Sequence, residues 1–120
     1  MNGDKVRSVH RARVNGAFLN QYHGKPVCLL GTVLRADGGG SAFQVRSSDG
    51  QTINIRLKTP ISEPLQGLIE IYGTGQGRNL ILADSFTIFP ETLAATFDMN
   101  TYNETLVVLQ QLNDYIWLPS

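Results

Sequence analysis

The chain has 120 residues and a hydrophobic content of 42%, which suits one globular domain with a single core and argues against a disordered chain. No apolar run approaches the ~20 residues that a membrane span needs, and the polar N-terminus lacks the apolar core of a signal peptide. The formal net charge is zero, but residues 1–58 hold nine Lys or Arg against three Asp, whereas residues 59–120 hold one Arg against seven acidic residues.

This division of charge, +6 in the first part and −6 in the second, favours a basic face for a polyanion unless folding disperses the charges. Part of the basic charge lies in residues 1–13, which have no apolar periodicity and are predicted to form a flexible basic arm that can contact phosphate. Beyond the arm, Asn15 is predicted to cap a short helix that ends before Gly24.

Five strand-like segments follow, separated by glycine-rich turns, and they cover residues 27–34, 43–47, 52–57, 68–72 and 80–89. Alternation in the second and third segments points Phe43 and Val45 inward and Arg46 and Arg56 outward. In the first segment Gly31 marks a bend or bulge, and an interruption at Asp84–Ser85 predicts a bulge in the last. Asp49–Gly50 is predicted to form a tight hairpin turn.

Five short strands with a long, curled first member indicate a small closed Greek-key barrel. The commonest such form is the oligonucleotide-binding (OB) fold, whose ligand loops join strands 1–2 and 4–5, and an SH3-like barrel is the alternative. The predicted fold class is therefore all-β with a C-terminal helix. Residues 1–13 are assigned to the arm, 14–96 to the barrel with its leading helix, and 97–120 to the C-terminal helix.

The C-terminal helix is predicted over Thr101–Trp117, with Thr101 and Glu104 forming a capping box and Pro119 ending it. Its apolar residues fall in one arc of about 160°. Such an arc packs either on its own domain or on helices of other subunits. Under the second alternative, the predicted partner interface consists of Tyr102, Thr105, Leu106, Val108, Leu109, Leu112 and Ile116.

The sequence carries no catalytic signature. The two histidines, His10 and His23, and the single cysteine, Cys28, do not form a metal-binding pattern, and Cys28 favours a reducing compartment. No Gly-x-Ser-x-Gly motif occurs, and the glycines of residues 73–77 do not have dinucleotide-binding spacing. We therefore expect no enzyme activity, no cofactor, no metal and no small-molecule substrate.

Nucleic-acid binding is the remaining activity that the residues support. The candidate contacts are the basic side chains Arg35, Arg46, Arg56, Lys58 and Arg78, on the outer barrel face and in its loops. The exposed aromatics on which single-stranded bases stack are missing, because neither predicted ligand loop nor the outward positions of the third strand contain one. We therefore expect weak binding that depends on phosphate contacts.

Several short motifs, in their order and spacing, make the chain similar to the smallest-subunit family of replication protein A, the eukaryotic heterotrimer that binds single-stranded DNA. They are Arg13-Val14-Asn15, Lys25-Pro26-Val27-Cys28, Ser48-Asp49-Gly50, the run of residues 67–73, and Phe97-Asp98 before Tyr102-Asn103-Glu104. The likeness spans residues 13–119.

The resemblance implies an OB barrel whose C-terminal helix joins helices of the large and middle subunits in a three-helix bundle. It implies a nuclear assembly subunit that acts in DNA replication, repair and recombination and contacts single-stranded DNA mainly through the complex. Two alternatives stay open at this point. One is the small OB subunit of the related telomere-end-capping trimer, and the other is an autonomous, weak nucleic-acid-binding module.

Overall fold

The computed structural model describes residues 11–36 and 39–116, with side chains up to residue 112 in the last helix. The predictions for residues 1–10, for Asp37, for the side chain of Ile116 and for Trp117 and Pro119 lie outside this description. The elements in chain order are β1 (Ala12–Val14), α1 (Gly16–Leu19), a 3₁₀ turn (Asn20–Tyr22), β2 (Pro26–Ala36), β3 (Ala42–Ser47), β4 (Thr52–Leu57), β5 (Leu68–Gln76), β6 (Leu80–Ile88), α2 (Glu91–Thr96) and α3 (Met99–Ile116).

Strands β2 to β6 form a closed barrel. The strand order is β1-β2-β3-β4-β6-β5, and a further pairing of β2 with β5 closes the sheet. Closure is possible because β2 is long enough to serve two neighbours: residues 26–32 pair with β5, and residues 31–36 pair with β3. Strand β4 runs parallel to β6 and the other barrel pairings are antiparallel, which is OB topology. The predicted fold is confirmed.

The barrel interior is filled by alternate residues of each strand, as the period of two requires. Among its fully buried side chains are Val27, Leu29, Val45, Ile53, Ile55, Ile69, Ile71 and Ile81. The predicted inward positions of β3 and β4 are confirmed, since Phe43 and Val45 are buried while Arg46 and Arg56 are exposed.

The bulge predicted for the last strand is found where expected. Tyr72 pairs with Ser85 and Gly73 with Ala83, so Asp84 is left out of the ladder and forms a bulge in β6. The register shift in β2 lies between Val33 and Arg35, not at Gly31. Glycine is needed at position 31 because the neighbouring strand passes close by: a Cβ there would lie 2.7 Å from the carbonyl oxygen of Arg46.

The N-terminal segment joins the sheet earlier than predicted. Strand β1 pairs in parallel with β2, from Ala12 opposite Val27 to Val14 opposite Leu29. The boundary of the arm at residue 13 was therefore placed too late. The prediction for α1 is confirmed, since the side chain of Asn15 accepts a hydrogen bond from the Phe18 amide at 3.0 Å.

Helix α3 begins at Met99, two residues before the predicted start. Thr101 is not its cap, because the carboxylate of Asp98 already accepts the Thr101 amide at 3.0 Å. The short helix α2 was missed altogether. It starts after Pro90 and carries Glu91 in its first turn, but its six residues are too few for a visible periodicity.

Candidate nucleic-acid and subunit interfaces

A groove crosses the outer face of β3 and β4. Its volume is about 540 Å³, and its lining includes Arg35, Gln44, Asn54, Arg56, Asn79 and Leu80. Hydrogen-bonded side-chain amides form the bottom of the groove: the Gln44 side chain donates to the side-chain oxygen of Asn54 at 2.9 Å. The backbone N–H of Asn54 in turn donates to the carbonyl oxygen of Asn79 at 2.7 Å. The turn between β5 and β6 is thereby fixed against the groove.

The structure places two of the five predicted basic residues in the groove lining and a third in the adjoining turn. Arg35 and Arg56 line the groove, and Arg78 is exposed in the turn next to Asn79. Arg46 is also exposed, but it lies outside the groove lining, opposite Thr52.

Lys58 lies elsewhere, in an ion pair with Asp84 at 2.7 Å. Arg11 contacts the same carboxylate at 3.3 Å and donates to the carbonyl oxygen of Gly73 at 2.8 Å. The hydrogen bond from Lys58, and then that from Arg11, hold the pKa of Asp84 below its ordinary value. No sequence signal pairs the bulge residue with Lys58, because the two are brought together only by the parallel pairing of β4 and β6.

The groove lacks a stacking platform among the residues that the structure describes. Phe43 is its one aromatic lining residue, and only 4% of its surface is exposed because its ring belongs to the core. The polar side chains of the lining are amides and guanidinium groups, and the aliphatic ones include Ala42 and Leu80. This arrangement can neutralise phosphates and donate hydrogen bonds, but it does not provide the base stacking that strengthens single-strand binders.

Helix α3 lies against its own barrel along one stripe. Leu106 is buried to 4% exposure. The side-chain oxygen of Asn103 accepts hydrogen bonds from the Asn15 side chain at 2.9 Å and from the Ser48 hydroxyl at 2.7 Å. Near the C-terminal end, the Gln110 side chain donates to the Tyr22 hydroxyl at 3.2 Å. These contacts fix the rotation of the helix about its axis.

The predicted partner interface is therefore divided. Leu106 lies on the barrel side, and so does Tyr102, whose hydroxyl oxygen is buried. Their assignment to an open partner face is corrected. The others whose side chains are described, Thr105, Val108, Leu109 and Leu112, are exposed, the last three to 50%, 54% and 45%. The barrel-facing stripe and the exposed stripe lie side by side on the helix, so a helical wheel drawn from the sequence shows them as one apolar arc.

A polar cluster lies on the outer face of β2 and β5, beneath the first turns of α3. Arg13 forms an ion pair with Glu70 at 2.5 Å. Glu70 also accepts hydrogen bonds from the Cys28 thiol at 3.1 Å and the Tyr72 hydroxyl at 2.8 Å. Burial alone would raise the pKa of Glu70, but the hydrogen bonds from Arg13, Cys28 and Tyr72 outweigh it and hold the pKa below its ordinary value. Burial, with Glu70 nearby, raises the pKa of the Cys28 thiol to about 12.

The Glu70→Gln variant is expected to lose the contribution that ionised Glu70 makes to the free energy of unfolding, a contribution that depends on acidic pH. Because the pKa of Glu70 is lower in the folded protein than its ordinary 4.5, its contribution is fully present above that pH and is lost as pH falls through the folded pKa. We expect the variant to lose about 1–2 kcal/mol near neutrality, with a flatter dependence of the unfolding free energy on acidic pH. Urea unfolding over a pH series measures both.

The exposed Glu63 provides the control for that experiment, since Glu63→Gln makes the same chemical change without buried partners. A Glu70→Gln protein with the pH dependence of the unmutated chain would contradict the assignment of this cluster. The cluster itself was not visible in the sequence, because Arg13, Cys28 and Glu70 come together only through the pairing of β1, β2 and β5.

The described residues contain no group of three His, Cys, Asp or Glu side chains arranged to hold a metal ion. Within the same residues, no helix combines the length and the hydropathy that crossing a membrane requires.

A closed OB barrel with a basic groove and an appended helix defines the class of small OB-fold proteins associated with single-stranded nucleic acid. The particular family is shown by comparison: residues 7–115 match the family Replication factor A protein 3, and the chain belongs to it. The chain is also 35% identical over 94 residues to a 14 kDa replication protein A subunit from Arabidopsis thaliana, and the match covers 78% of this chain and 80% of the relative. The predicted family is thus confirmed.

Solved structures share the fold at lower identity. A chain in the structure of U. maydis replication protein A bound to ssDNA superposes with a TM-score of 0.72 at 19% identity, covering 88% of this chain and 94% of that one. The S. pombe telomere capping protein Ten1 gives a TM-score of 0.65 at 11% identity, with 85% and 99% covered. A chain of the S. pombe Stn1–Ten1 complex gives 0.64 at 12%, with 87% and 95% covered.

Proposed function

We propose that this chain is the assembly subunit of a heterotrimeric complex that binds single-stranded DNA in nuclear DNA replication, repair and recombination. The observation that carries the proposal is the open apolar stripe of α3, formed by Val108, Leu109 and Leu112, beside a barrel that is already closed and packed. Because these side chains are about half exposed, burying the rest of each contributes about half of the ~1.5–3 kcal/mol of full burial, which favours an apolar partner surface. The proposed partners are helices of the large and middle subunits.

The groove supports a secondary role on the DNA itself. Arg35 and Arg56 line it, so a strand laid across β3 and β4 would meet two positive charges, and the exposed Arg78 follows in the turn next to the lining residue Asn79. The floor of hydrogen-bonded amides does not supply base stacking. We propose that this subunit contacts the phosphate backbone weakly while stronger binding resides elsewhere in the complex. No catalytic step belongs to this function.

The telomere-capping alternative has support from the fold alone, since the Ten1 structures are only 11–12% identical to this chain. The replication alternative has support from family membership and from a 35% identical relative. The experiment that separates them is co-expression with the large and middle subunits of either trimer, followed by measurement of the mass of the complex. A stable trimer with the replication subunits is expected. Assembly with the telomere subunits only would overturn the proposal.

The isolated chain is expected to bind a short single-stranded oligonucleotide weakly and in a salt-dependent way. With about three phosphate contacts, the slope of log affinity against log salt should be about −2. Fluorescence anisotropy at several salt concentrations measures the slope. Sub-micromolar binding at physiological salt would show that the barrel contains a stacking or base-reading contact that this groove lacks.

A further inference from the structure

We infer that His23 is a positioning residue for the β5–β6 turn: its imidazole accepts the amide of Gly77 and thereby holds Arg78 beside the groove. The inference rests on the proposed function of the groove and extends it to a residue outside the groove. His23 lies between the 3₁₀ turn and β2, where it forms an isolated parallel bridge with Gly75, and the residue is exposed. An exposed imidazole contributes little to packing, so its hydrogen bond is its main structural effect.

The geometry of the turn makes this hydrogen bond informative. The Gly77 N–H donates to Nδ1 of His23 at 2.8 Å, which requires an unprotonated Nδ1 and places the ring proton of the neutral imidazole on Nε2. Gly77 itself has a left-handed backbone, with a φ of 76°, and it lies in the turn just beyond the last β5–β6 pair, Gln76 with Leu80. The imidazole supplies the acceptor that the ladder cannot.

Two backbone anchors frame the same turn. Before it, the Gly24 amide donates to Gly75 at 2.8 Å and the Gly75 amide donates to Lys25 at 3.1 Å. After it, the carbonyl of Asn79 accepts from the backbone of Asn54 at 2.7 Å. The Asn54 side chain also donates to the Asn79 carbonyl at 3.3 Å, whereas the His23 bond restrains the middle of the turn, at Gly77. Gly77, which donates this hydrogen bond, is followed directly by Arg78.

The test compares His23→Ala with His23→Asn in the full chain at about pH 8. The side-chain oxygen of Asn is bonded to Cγ, as Nδ1 is in His, so His23→Asn retains an acceptor for Gly77 whereas His23→Ala does not. We expect the Gly77 amide to exchange its hydrogen about fivefold faster in His23→Ala and at the original rate in His23→Asn. NMR-detected hydrogen exchange measures this directly.

Binding to an oligo(dT) strand gives the functional readout. We expect Arg78→Ala to weaken binding about threefold and His23→Ala about twofold, with His23→Asn equal to the unmutated chain. In the double variant, His23→Ala should add nothing to Arg78→Ala, because the two act through one contact. The melting temperature should be nearly unchanged in all of them, which separates positioning from general stability.

Unchanged Gly77 exchange in His23→Ala, or a full additional twofold loss in the Arg78→Ala background, would overturn the inference. Equal losses in His23→Asn and His23→Ala would overturn it too, because the acceptor would then be irrelevant. If Arg78→Ala leaves DNA binding unchanged, the inference fails through the proposed function on which it rests. Faster Gly77 exchange in the same samples would show that the failure lies with the DNA contact and not with the hydrogen bond.

Discussion

Leu109→Asp is expected to leave the domain folded and to abolish assembly with the partner subunits. Leu109 is 54% exposed in the free chain, so a carboxylate at this position stays hydrated and costs the barrel little. In a helical bundle the same carboxylate would be buried without a compensating charge, at a cost of several kcal/mol. Circular dichroism of the variant alone and pull-down of the two partners measure the two effects.

Leu106→Asp is the matched control, because it places the same charge three residues away on the barrel side of α3. Leu106 is 4% exposed, so this variant should be destabilised as a free domain by several kcal/mol. The pair therefore separates the two stripes of one helix. A folded Leu109→Asp protein that still assembles with both partners would refute the docking role of the open stripe.

Arg56→Glu is expected to weaken binding of single-stranded DNA by the isolated chain about tenfold at low salt, because it reverses a charge in the groove lining. The salt dependence should become shallower by about 0.7 in the log–log slope, which corresponds to one lost phosphate contact. The trimer should assemble normally, since Arg56 is on β4 and not on α3. Anisotropy titrations at several salt concentrations measure the affinity and the slope.

Arg46→Glu is the control for that variant. It makes the same charge change on the neighbouring strand β3, at an exposed outward position that does not line the groove. Its effect should be smaller, limited to screened long-range electrostatics. Equal losses for the two variants would mean that DNA responds to the overall charge of this face and not to the groove. Failure of either variant to assemble would place that arginine in a subunit contact.

The barrel was predictable from sequence because its determinants are local. Alternation in β3 and β4 placed Phe43, Val45 and Ile53 in the core, and an interruption at Asp84 indicated the bulge. The Asn15 cap and the Asp49–Gly50 turn also depend on residues close in the chain, since Gly50 takes a left-handed φ of 90° as such turns require. Each of these predictions uses a rule that involves only neighbouring residues.

The features that the sequence did not predict depend on contacts between distant segments. The division of α3 into two stripes is set by Asn15 and Ser48, which lie far from Asn103 in the chain. The ion pair of Lys58 with Asp84 joins the end of β4 to the bulge of β6. The groove itself was predicted only as a set of outward arginines, because which of them converge is decided by strand register.

The two hydrogen bonds that Asn103 accepts also bear on how a complex would form. Because they hold the first turns of α3 to the barrel in one rotational setting, an incoming helix meets a stripe whose orientation is already set. Much of the ordering entropy of one helix has then already been lost before any encounter, and less of the binding energy is spent on it. We expect this subunit to act as the template to which partner helices adapt. Loosening Asn103 should slow productive encounter even if the final bundle is unchanged.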